Sequence, residues 1–145
     1  MKAYLSRRYM LSASHRLYTD AYGEEKNYAI FGKCANPHGH GHNYVVEVTV
    51  SGQVDPVTGM VCNLADLDSC VRTQVVERFD HANLNLDPSF THQVPTTENF
   101  CIEVYHLLAE RFVHATLERV RVEETSNNFF EYAGKGKHGT PSSRS

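Results

Sequence analysis

The stretch HGHNYVVEVTV, residues 40–50, contains the clearest strand pattern of the chain. Between residues 44 and 50 every even position is Tyr or Val, whereas Glu47 and Thr49 occupy odd positions. Because successive side chains of a strand point to opposite faces, this alternation predicts a half-buried strand. His40 and His42 share the even parity, so a strand extending back to them would place both imidazoles on the apolar side. Imidazoles at this spacing lie about 7 Å apart at Cβ and can bind one metal ion together.

The patterns on either side of this stretch predict an α+β fold. Strands are predicted at residues 3–11, 44–50, about 117–125 and about 129–132, and helices at about 63–79 and from Thr96 or Thr97 onward. The apolar stripes of the two helices are Leu64, Leu67, Val71 and Val75, and then Phe100, Val104, Leu107 and Leu108. The order β-β-α-α-β-β predicts a four-stranded antiparallel sheet with two helices packed on one face. Residues 19–41 are predicted as a long loop, a type of segment that often carries function.

The composition is that of one ordinary globular domain. The chain has 145 residues, 41% of them hydrophobic, and a formal net charge of −3. We therefore predict a single domain over residues 1–133, followed by a flexible polar tail at 134–145. The charge balance lacks the basic excess of a nucleic-acid binder, and no apolar run approaches the roughly 18 residues that a membrane-spanning helix needs. We expect a cytoplasmic protein whose four cysteines are free thiols.

Histidine is the unusual residue of this composition, with nine copies. A catalytic zinc ion usually takes three protein ligands, so His40 and His42 need a third. His15, at the end of the first strand, and His38 are both candidates, and spacing alone leaves the choice open. The glycines at positions 39 and 41 remove side chains between the imidazoles, which favours the close approach of another backbone or a ligand.

One cysteine stands apart from the other three. Cys34 lies in a polar loop next to Lys33, where a cation can stabilise a thiolate that acts as a base or nucleophile. The remaining cysteines lie in or beside elements with apolar neighbours and fit the inert class of buried thiols; they are Cys62, Cys70 and Cys101.

Two acidic positions complete the candidate site. Asp80-His81 closes the first predicted helix. The pair is either a charged helix end or a carboxylate and imidazole that transfer protons, and the sequence does not favour one interpretation over the other. Glu124 shares the inward parity of Val120 and Val122 on the third strand. Its carboxylate must find donors there, either from a heterocycle with adjacent N–H and NH₂ groups or from a buried arginine.

From about Tyr9 to Gly134 the chain resembles the 6-pyruvoyl-tetrahydropterin synthase family of tunnelling-fold enzymes. The matching motifs are Ser12-Ala13-Ser14-His15-Arg16-Leu17, Phe31-Gly32-Lys33-Cys34, Gly39-His40-Gly41-His42-Asn43-Tyr44, Leu64-Ala65-Asp66-Leu67, Asp80-His81-Ala82-Asn83-Leu84, Thr96-Thr97-Glu98-Asn99 and Glu124-Thr125.

The resemblance implies a set of roles for these motif residues. It implies that Zn²⁺ is held by His15, His40 and His42, and that Cys34 is the proton-transferring thiol, assisted by Asp80 and His81. It implies that Glu124 anchors a pterin ring, and the matching Thr96, Thr97 and Glu98 are expected to bind substrate with it. It further implies that the sheets close into a barrel by oligomerisation, as a homohexamer of two trimers with active sites between subunits.

The substrate implied by the resemblance depends on one spacing. Five residues separate Cys34 from His40, which resembles the biopterin-pathway branch and implies a lyase that converts 7,8-dihydroneopterin triphosphate to 6-pyruvoyl-5,6,7,8-tetrahydropterin. The alternative is the 6-carboxy-5,6,7,8-tetrahydropterin synthase of queuosine biosynthesis, which acts on the same substrate. A third possibility is a metal-dependent binding protein without turnover. Arg16 and Lys33 flank the expected metal site and are candidate triphosphate contacts.

Overall fold

The computed structural model describes residues 1–134. Its strands are β1 (Lys2–His15), β2 (His40–Gln53), β3 (Ala82–Asn83), β4 (Thr116–Thr125) and β5 (Asn128–Tyr132). Its helices are α1 (Glu24–Phe31), α2 (Leu64–Val71), α3 (Glu77–Phe79) and α4 (Thr97–Arg111), with a π-helical segment at Arg72–Val76 and 3₁₀ turns at Gly32–Ala35, Leu84–Leu86 and Pro88–Phe90. Residues 135–145 of the predicted flexible tail lie outside the described residues.

The sheet has the strand order β3-β1-β2-β4-β5. The four long strands pair antiparallel in chain order, as the sequence predicts. The predicted strand count was wrong by one, because β3 adds a two-residue parallel pairing to β1 at Ala13 and Ser14. A strand of two residues is too short to produce any periodicity in the sequence. Both β1 and β2 are also longer than predicted, and β2 extends back to His40.

The core lies between one face of the sheet and the helices. The even positions of β2, from Tyr44 to Val50, are at most 1% exposed, and they pack in one cluster with Leu67, Val71 and Phe100 of the helices. This parity is the one that the alternation of residues 44–50 predicts. The fold is therefore α+β, with helices against one sheet face and a single apolar core.

The first predicted helix contains a local change of geometry. Leu67, Val71, Val75 and Phe79 are spaced four residues apart, and all are at most 1% exposed. In a straight α-helix a four-residue step drifts by about 40° around the axis. The π-helical segment at Arg72–Val76 holds more residues per turn, which keeps Phe79 on the buried side. Leu64 does not belong to the buried stripe as predicted, because it is 38% exposed in the first turn.

The predicted loop over residues 19–41 contains helix α1 and a 3₁₀ turn. Within α1 the buried residue is the polar Asn27, so no apolar stripe reveals the helix in the sequence. The Asn27 side-chain amide donates to three backbone carbonyl oxygens, and its Oδ1 accepts from the Thr19 N–H at 2.8 Å. The hydrogen bonds of the Asn27 side chain thus take the place of apolar packing in this segment.

A hydrogen-bonded group joins β1 to α2 and gives a stability prediction. The Tyr9 hydroxyl donates to Asp68 Oδ1 at 2.7 Å, and Arg7 donates two hydrogen bonds to the same carboxylate. We expect Tyr9→Phe to lower the free energy of unfolding by about 1–2 kcal/mol in urea titrations, because a partly buried hydrogen bond to a charged acceptor is lost. Tyr4→Phe is the matched control, since Tyr4 is 61% exposed. Equal stability of the two variants would contradict this role of the Asp68 group.

No helix within residues 1–134 has the length and apolar character needed to cross a membrane.

Candidate active site

The end of β1 and the beginning of β2 bring three imidazoles together. The strand register pairs His15 with His40 and Ala13 with His42. The ring centroids of His15 and His42 are 4.9 Å apart, and those of His40 and His42 are 4.7 Å apart. The structure therefore brings His15 into the cluster, whereas His38 lies in an exposed turn. His15 is 1% exposed, while His40 lies at the exposed rim.

The buried imidazoles are oriented as metal ligands. His15 Nδ1 lies 2.9 Å from the Pro95 carbonyl oxygen, which can only accept, so Nδ1 carries the proton and Nε2 carries the lone pair. Nε2 of His15 and Nε2 of His42 are both buried and have no hydrogen-bond partner. Burial lowers the pKa of both imidazoles and favours the neutral form that binds metal. Unpartnered buried nitrogens of this kind fit a metal ion.

Cys34 is held next to these imidazoles by backbone contacts. It lies in the 3₁₀ turn Gly32–Ala35, and its carbonyl oxygen accepts from the Leu17 N–H at 2.6 Å. Potential metal-ligand atoms of His15, Cys34 and His42 all lie within 4.8 Å of one another. Burial and then the Glu124 carboxylate raise the pKa of the Cys34 thiol, the opposite of the effect expected from Lys33.

Only one of the two glycines between the histidines permits a close backbone approach. Gly39 has φ of +80°, and a Cβ there would lie 3.1 Å from the His15 carbonyl oxygen. A side chain at this position would push the turn away from His15. Nothing lies within 4 Å of a Cβ built on Gly41, so no other backbone approaches closely there.

Glu124 lies on the inward side of β4, where its parity places it. Thr97 Oγ1 donates to Glu124 Oε2 at 2.9 Å, and the same oxygen is 3.3 Å from His42 Nε2. The described structure places no arginine against this carboxylate. Its hydrogen-bond partners are Thr97 and Asn128, and Nε2 of His15 and of His42 lie 4.0 and 3.3 Å away without forming hydrogen bonds. A ligand between Glu124 and the imidazoles would thus meet a half-buried hydrogen-bond acceptor.

The other residues of the Thr96-Thr97-Glu98 motif have different surroundings. Thr96 is the N-cap of α4, and its hydroxyl accepts from the Asn99 N–H at 3.1 Å. Glu98 is exposed in the first turn of α4, where a carboxylate interacts favourably with the helix dipole. Within this motif, only Thr97 contacts the cluster around His42 and Glu124.

Asp80 and His81 are held against Ser12 of β1 by hydrogen bonds. Asp80 Oδ1 accepts from the Ser12 N–H at 2.9 Å, a bond that lowers the pKa of this carboxyl. His81 donates its own N–H to the Ser12 carbonyl oxygen, and its φ of 61° turns the imidazole outward, with the side chain 83% exposed. His81 lines a cavity of about 350 Å³ with Ser12, Ser14 and Asn43. Strand alternation directs these β1 serines away from His15.

Two residues that the sequence analysis missed hold the cluster in place. Pro95 contributes only its carbonyl oxygen, which orients His15. Asn85 exchanges two hydrogen bonds with the backbone of Arg16, at 2.6 and 2.9 Å, and so fixes the chain directly after His15. Neither residue type signals such a role in a sequence, because both act through long-range backbone contacts.

Metal removal gives a second prediction. We expect protein treated with a chelator to remain folded by circular dichroism, because the buried cluster of apolar residues forms without the imidazoles. The midpoint of thermal unfolding should fall and then recover when zinc is restored, since a ligand stabilises the state that binds it. Loss of the folded spectrum on chelation would instead assign the metal a structural role.

The fold and the cluster define an α+β protein with a candidate metal centre at one end of an antiparallel sheet. A family model described as 6-pyruvoyl tetrahydropterin synthase matches residues 4–135, so the chain belongs to this family. It is 47% identical over 135 residues to a human protein named 6-pyruvoyl tetrahydrobiopterin synthase, with 92% of this chain and 93% of the relative covered. 

A solved structure and a more distant relative complete the comparison. The structure of Caenorhabditis elegans 6-pyruvoyl tetrahydropterin synthase superimposes with a TM-score of 0.85 at 38% identity, covering 92% of this chain and 96% of that one. A protein from Archaeoglobus fulgidus, named as a putative 6-carboxy-5,6,7,8-tetrahydropterin synthase, is 40% identical over 92 residues. That match covers 63% of this chain and 73% of the relative.

Proposed function

We propose that this chain is a zinc-dependent lyase that converts 7,8-dihydroneopterin triphosphate to 6-pyruvoyl-5,6,7,8-tetrahydropterin with loss of triphosphate. One observation carries the proposal: two buried imidazole nitrogens, on His15 and His42, have no hydrogen-bond partner and lie beside the thiol of Cys34. The human relative, which matches nearly the whole chain, bears the name of a biopterin synthase, which supports this substrate over others.

The metal ligands in this proposal are His15, His40 and His42. Imidazole nitrogens suit Zn²⁺, and a set of three leaves a position open for substrate. Zinc held by these three residues would supply Lewis-acid polarisation that makes C–H bonds of the substrate side chain more acidic. Pro95 orients His15, and the position of His40 at the rim leaves the site accessible from one side.

The proposed proton transfers use residues of this chain. Cys34, as the thiolate, removes a proton from the substrate side chain, because its sulfur lies within 4.8 Å of ligand atoms of His15 and His42. Glu124 accepts hydrogen bonds from the pterin ring and is positioned by Thr97. Asp80 and His81 relay protons, and the contact of 3.2 Å between His81 Nδ1 and Asp80 Oδ2 supports their action as a pair.

We propose that the protein acts as a homohexamer of two trimers. The position of Asp80 and His81 supports this arrangement, because His81 is 83% exposed and lines a cavity whose lining does not include Cys34. In the proposed assembly they serve the metal site of a neighbouring chain. Strand β5 and the part of β1 before its short pairing with β3 are the sheet edges that such an association would cover.

Basic residues next to the site support a triphosphate substrate. Arg16 and Lys33 line a common cavity of about 650 Å³, whose lining also includes Glu24 and Glu25 of helix α1. The Arg16 guanidinium is held by a hydrogen bond from Nε to the Ala35 carbonyl oxygen at 3.1 Å. Charge-assisted hydrogen bonds from such groups suit phosphate oxygens.

The four cysteines are free thiols, which supports a reducing, cytoplasmic location.

A substitution at Glu124 tests the proposed pterin anchor. We expect Glu124→Gln to raise KM by about tenfold to a hundredfold, because one hydrogen bond to a charged acceptor is worth about 1.5–3 kcal/mol. Metal content should stay unchanged, since the amide retains an acceptor for Thr97. Glu123→Gln, on the opposite face of β4, is the matched control. An unchanged KM, measured by steady-state kinetics, would remove Glu124 from substrate binding.

The proposed reaction is tested by metal-dependent release of triphosphate. Metal-free protein incubated with 7,8-dihydroneopterin triphosphate should release no triphosphate above background, and protein reloaded with zinc should release one equivalent per substrate consumed. A reloaded protein that binds the substrate without releasing triphosphate would instead be a binding protein that lacks turnover.

The alternative activity, 6-carboxy-5,6,7,8-tetrahydropterin synthesis, starts from the same substrate. Its support is the relative from Archaeoglobus fulgidus, whose match covers a smaller share of the chain than that of the human protein.

A further inference from the structure

Two different sets of ligands are available around the same pair of imidazoles. His40 belongs to the proposed zinc ligands, yet the atoms that lie within 4.8 Å of one another are those of His15, His42 and Cys34. His40 lies at the exposed rim, whereas the Cys34 thiol is half buried. The thiol therefore lies where a fourth ligand could complete the coordination of an ion held by the buried nitrogens of His15 and His42.

Backbone contacts keep the thiol at this place. The Leu17 N–H donates to the Cys34 carbonyl oxygen at 2.6 Å, and Arg16 Nε donates to the Ala35 carbonyl oxygen at 3.1 Å. These bonds attach the 3₁₀ turn to the residues that directly follow His15. The sulfur and the His15 imidazole thus share one rigid support, and mixed sulfur and imidazole ligation is a set that zinc prefers.

The negative charge near the Cys34 thiol also favours a bound cation. Glu124 Oε2 lies 3.3 Å from His42 Nε2 and places negative charge near Cys34, while the Lys33 side chain is exposed. A thiolate at this site therefore needs a nearby positive charge to offset the Glu124 carboxylate. A metal ion between the imidazoles and the sulfur would supply it.

We propose that Cys34 is a metal ligand in the substrate-free protein and becomes available as a base only when a substrate donor takes its place. On ligation the S–H bond breaks, the proton passes to solvent and a sulfur–metal bond forms, with no change of oxidation state. On exchange the sulfur keeps the electron pair of that bond, and this pair can accept a substrate proton. The exchange step rests on the proposed function, whereas the ligation step rests on the positions of His15, His42 and Cys34 alone.

Cobalt substitution tests the ligation step without turnover. Metal-free protein titrated anaerobically with Co²⁺ should develop a sulfur-to-cobalt charge-transfer band in the near ultraviolet. Cys34→Ser should lose this band while the visible d–d bands of bound Co²⁺ persist. Cys62→Ser, another half-buried free thiol, is the matched control and should keep the band. Circular dichroism checks the fold of each variant, and Cys34→Ala provides a second replacement if the serine variant is unstable.

Neopterin, which carries the side-chain hydroxyls without phosphates, tests the exchange step. Added to the cobalt-loaded protein until pterin fluorescence shows saturation, it should abolish the charge-transfer band. Bound Co²⁺ without a sulfur band, or a band that survives in Cys34→Ser, would overturn ligation. A band unchanged at saturating neopterin would overturn exchange. Failure of the wild-type protein to release triphosphate from its substrate would overturn the proposed function and leave the cobalt result standing.

Discussion

His42→Ala is expected to abolish metal binding and triphosphate release together. His42 lies between the other two imidazoles, with ring centroids 4.9 Å from His15 and 4.7 Å from His40, and its Nε2 is buried without a hydrogen-bond partner. Its removal leaves no central ligand, so zinc measured by atomic absorption should fall from about one per chain to background.

A second histidine supplies the control for this variant. His114 is exposed between α4 and β4, at the opposite end of the sheet. His114→Ala should therefore retain both metal and turnover. Stoichiometric zinc in His42→Ala, with the fold intact by circular dichroism, would contradict the ligand assignment.

Cys34→Ala is expected to lower kcat by about 10²–10⁴-fold, the usual range for loss of a general base. The three histidines remain in this variant, so it should still bind one zinc ion per chain when metal is supplied in excess. Loss of turnover with metal retained separates proton transfer from metal binding, which His42→Ala cannot do.

Another cysteine provides the comparison for the thiol. Cys101 is fully buried, its Sγ donates to the Val120 carbonyl oxygen at 3.3 Å, and burial raises its pKa to about 12. Cys101→Ser should lower stability with kcat little changed in the fraction that folds. A Cys34→Ala protein that turns over at the wild-type rate would show that another group removes the proton.

Local alternation allowed several parts of this site to be predicted from the sequence. Parity alone placed His42 and Glu124 on the buried face, because side-chain direction in a strand depends only on neighbouring residues. The choice between His15 and His38 could not be made in this way. It depends on the register of β1 against β2. That register is set by pairing between two strands that are separated by more than twenty residues in the chain.

Other features depend on contacts that leave no periodic signal. Helix α1 escaped prediction because its buried residue, Asn27, is polar and acts through hydrogen bonds. The outward direction of His81 follows from a positive φ and a bond to Ser12, neither of which the sequence reveals. Lys33 was expected to stabilise a thiolate at Cys34, but burial and the Glu124 carboxylate raise the pKa of this thiol, and the Lys33 side chain is exposed to solvent.

The identity of the pterin product tests the central claim most directly. Zinc-loaded protein incubated anaerobically with 7,8-dihydroneopterin triphosphate should yield a product with the mass of 6-pyruvoyl-5,6,7,8-tetrahydropterin, together with triphosphate. The product should be absent without metal and strongly reduced in Cys34→Ala. A main product with the mass of 6-carboxy-5,6,7,8-tetrahydropterin, accompanied by acetaldehyde, would contradict the proposed reaction.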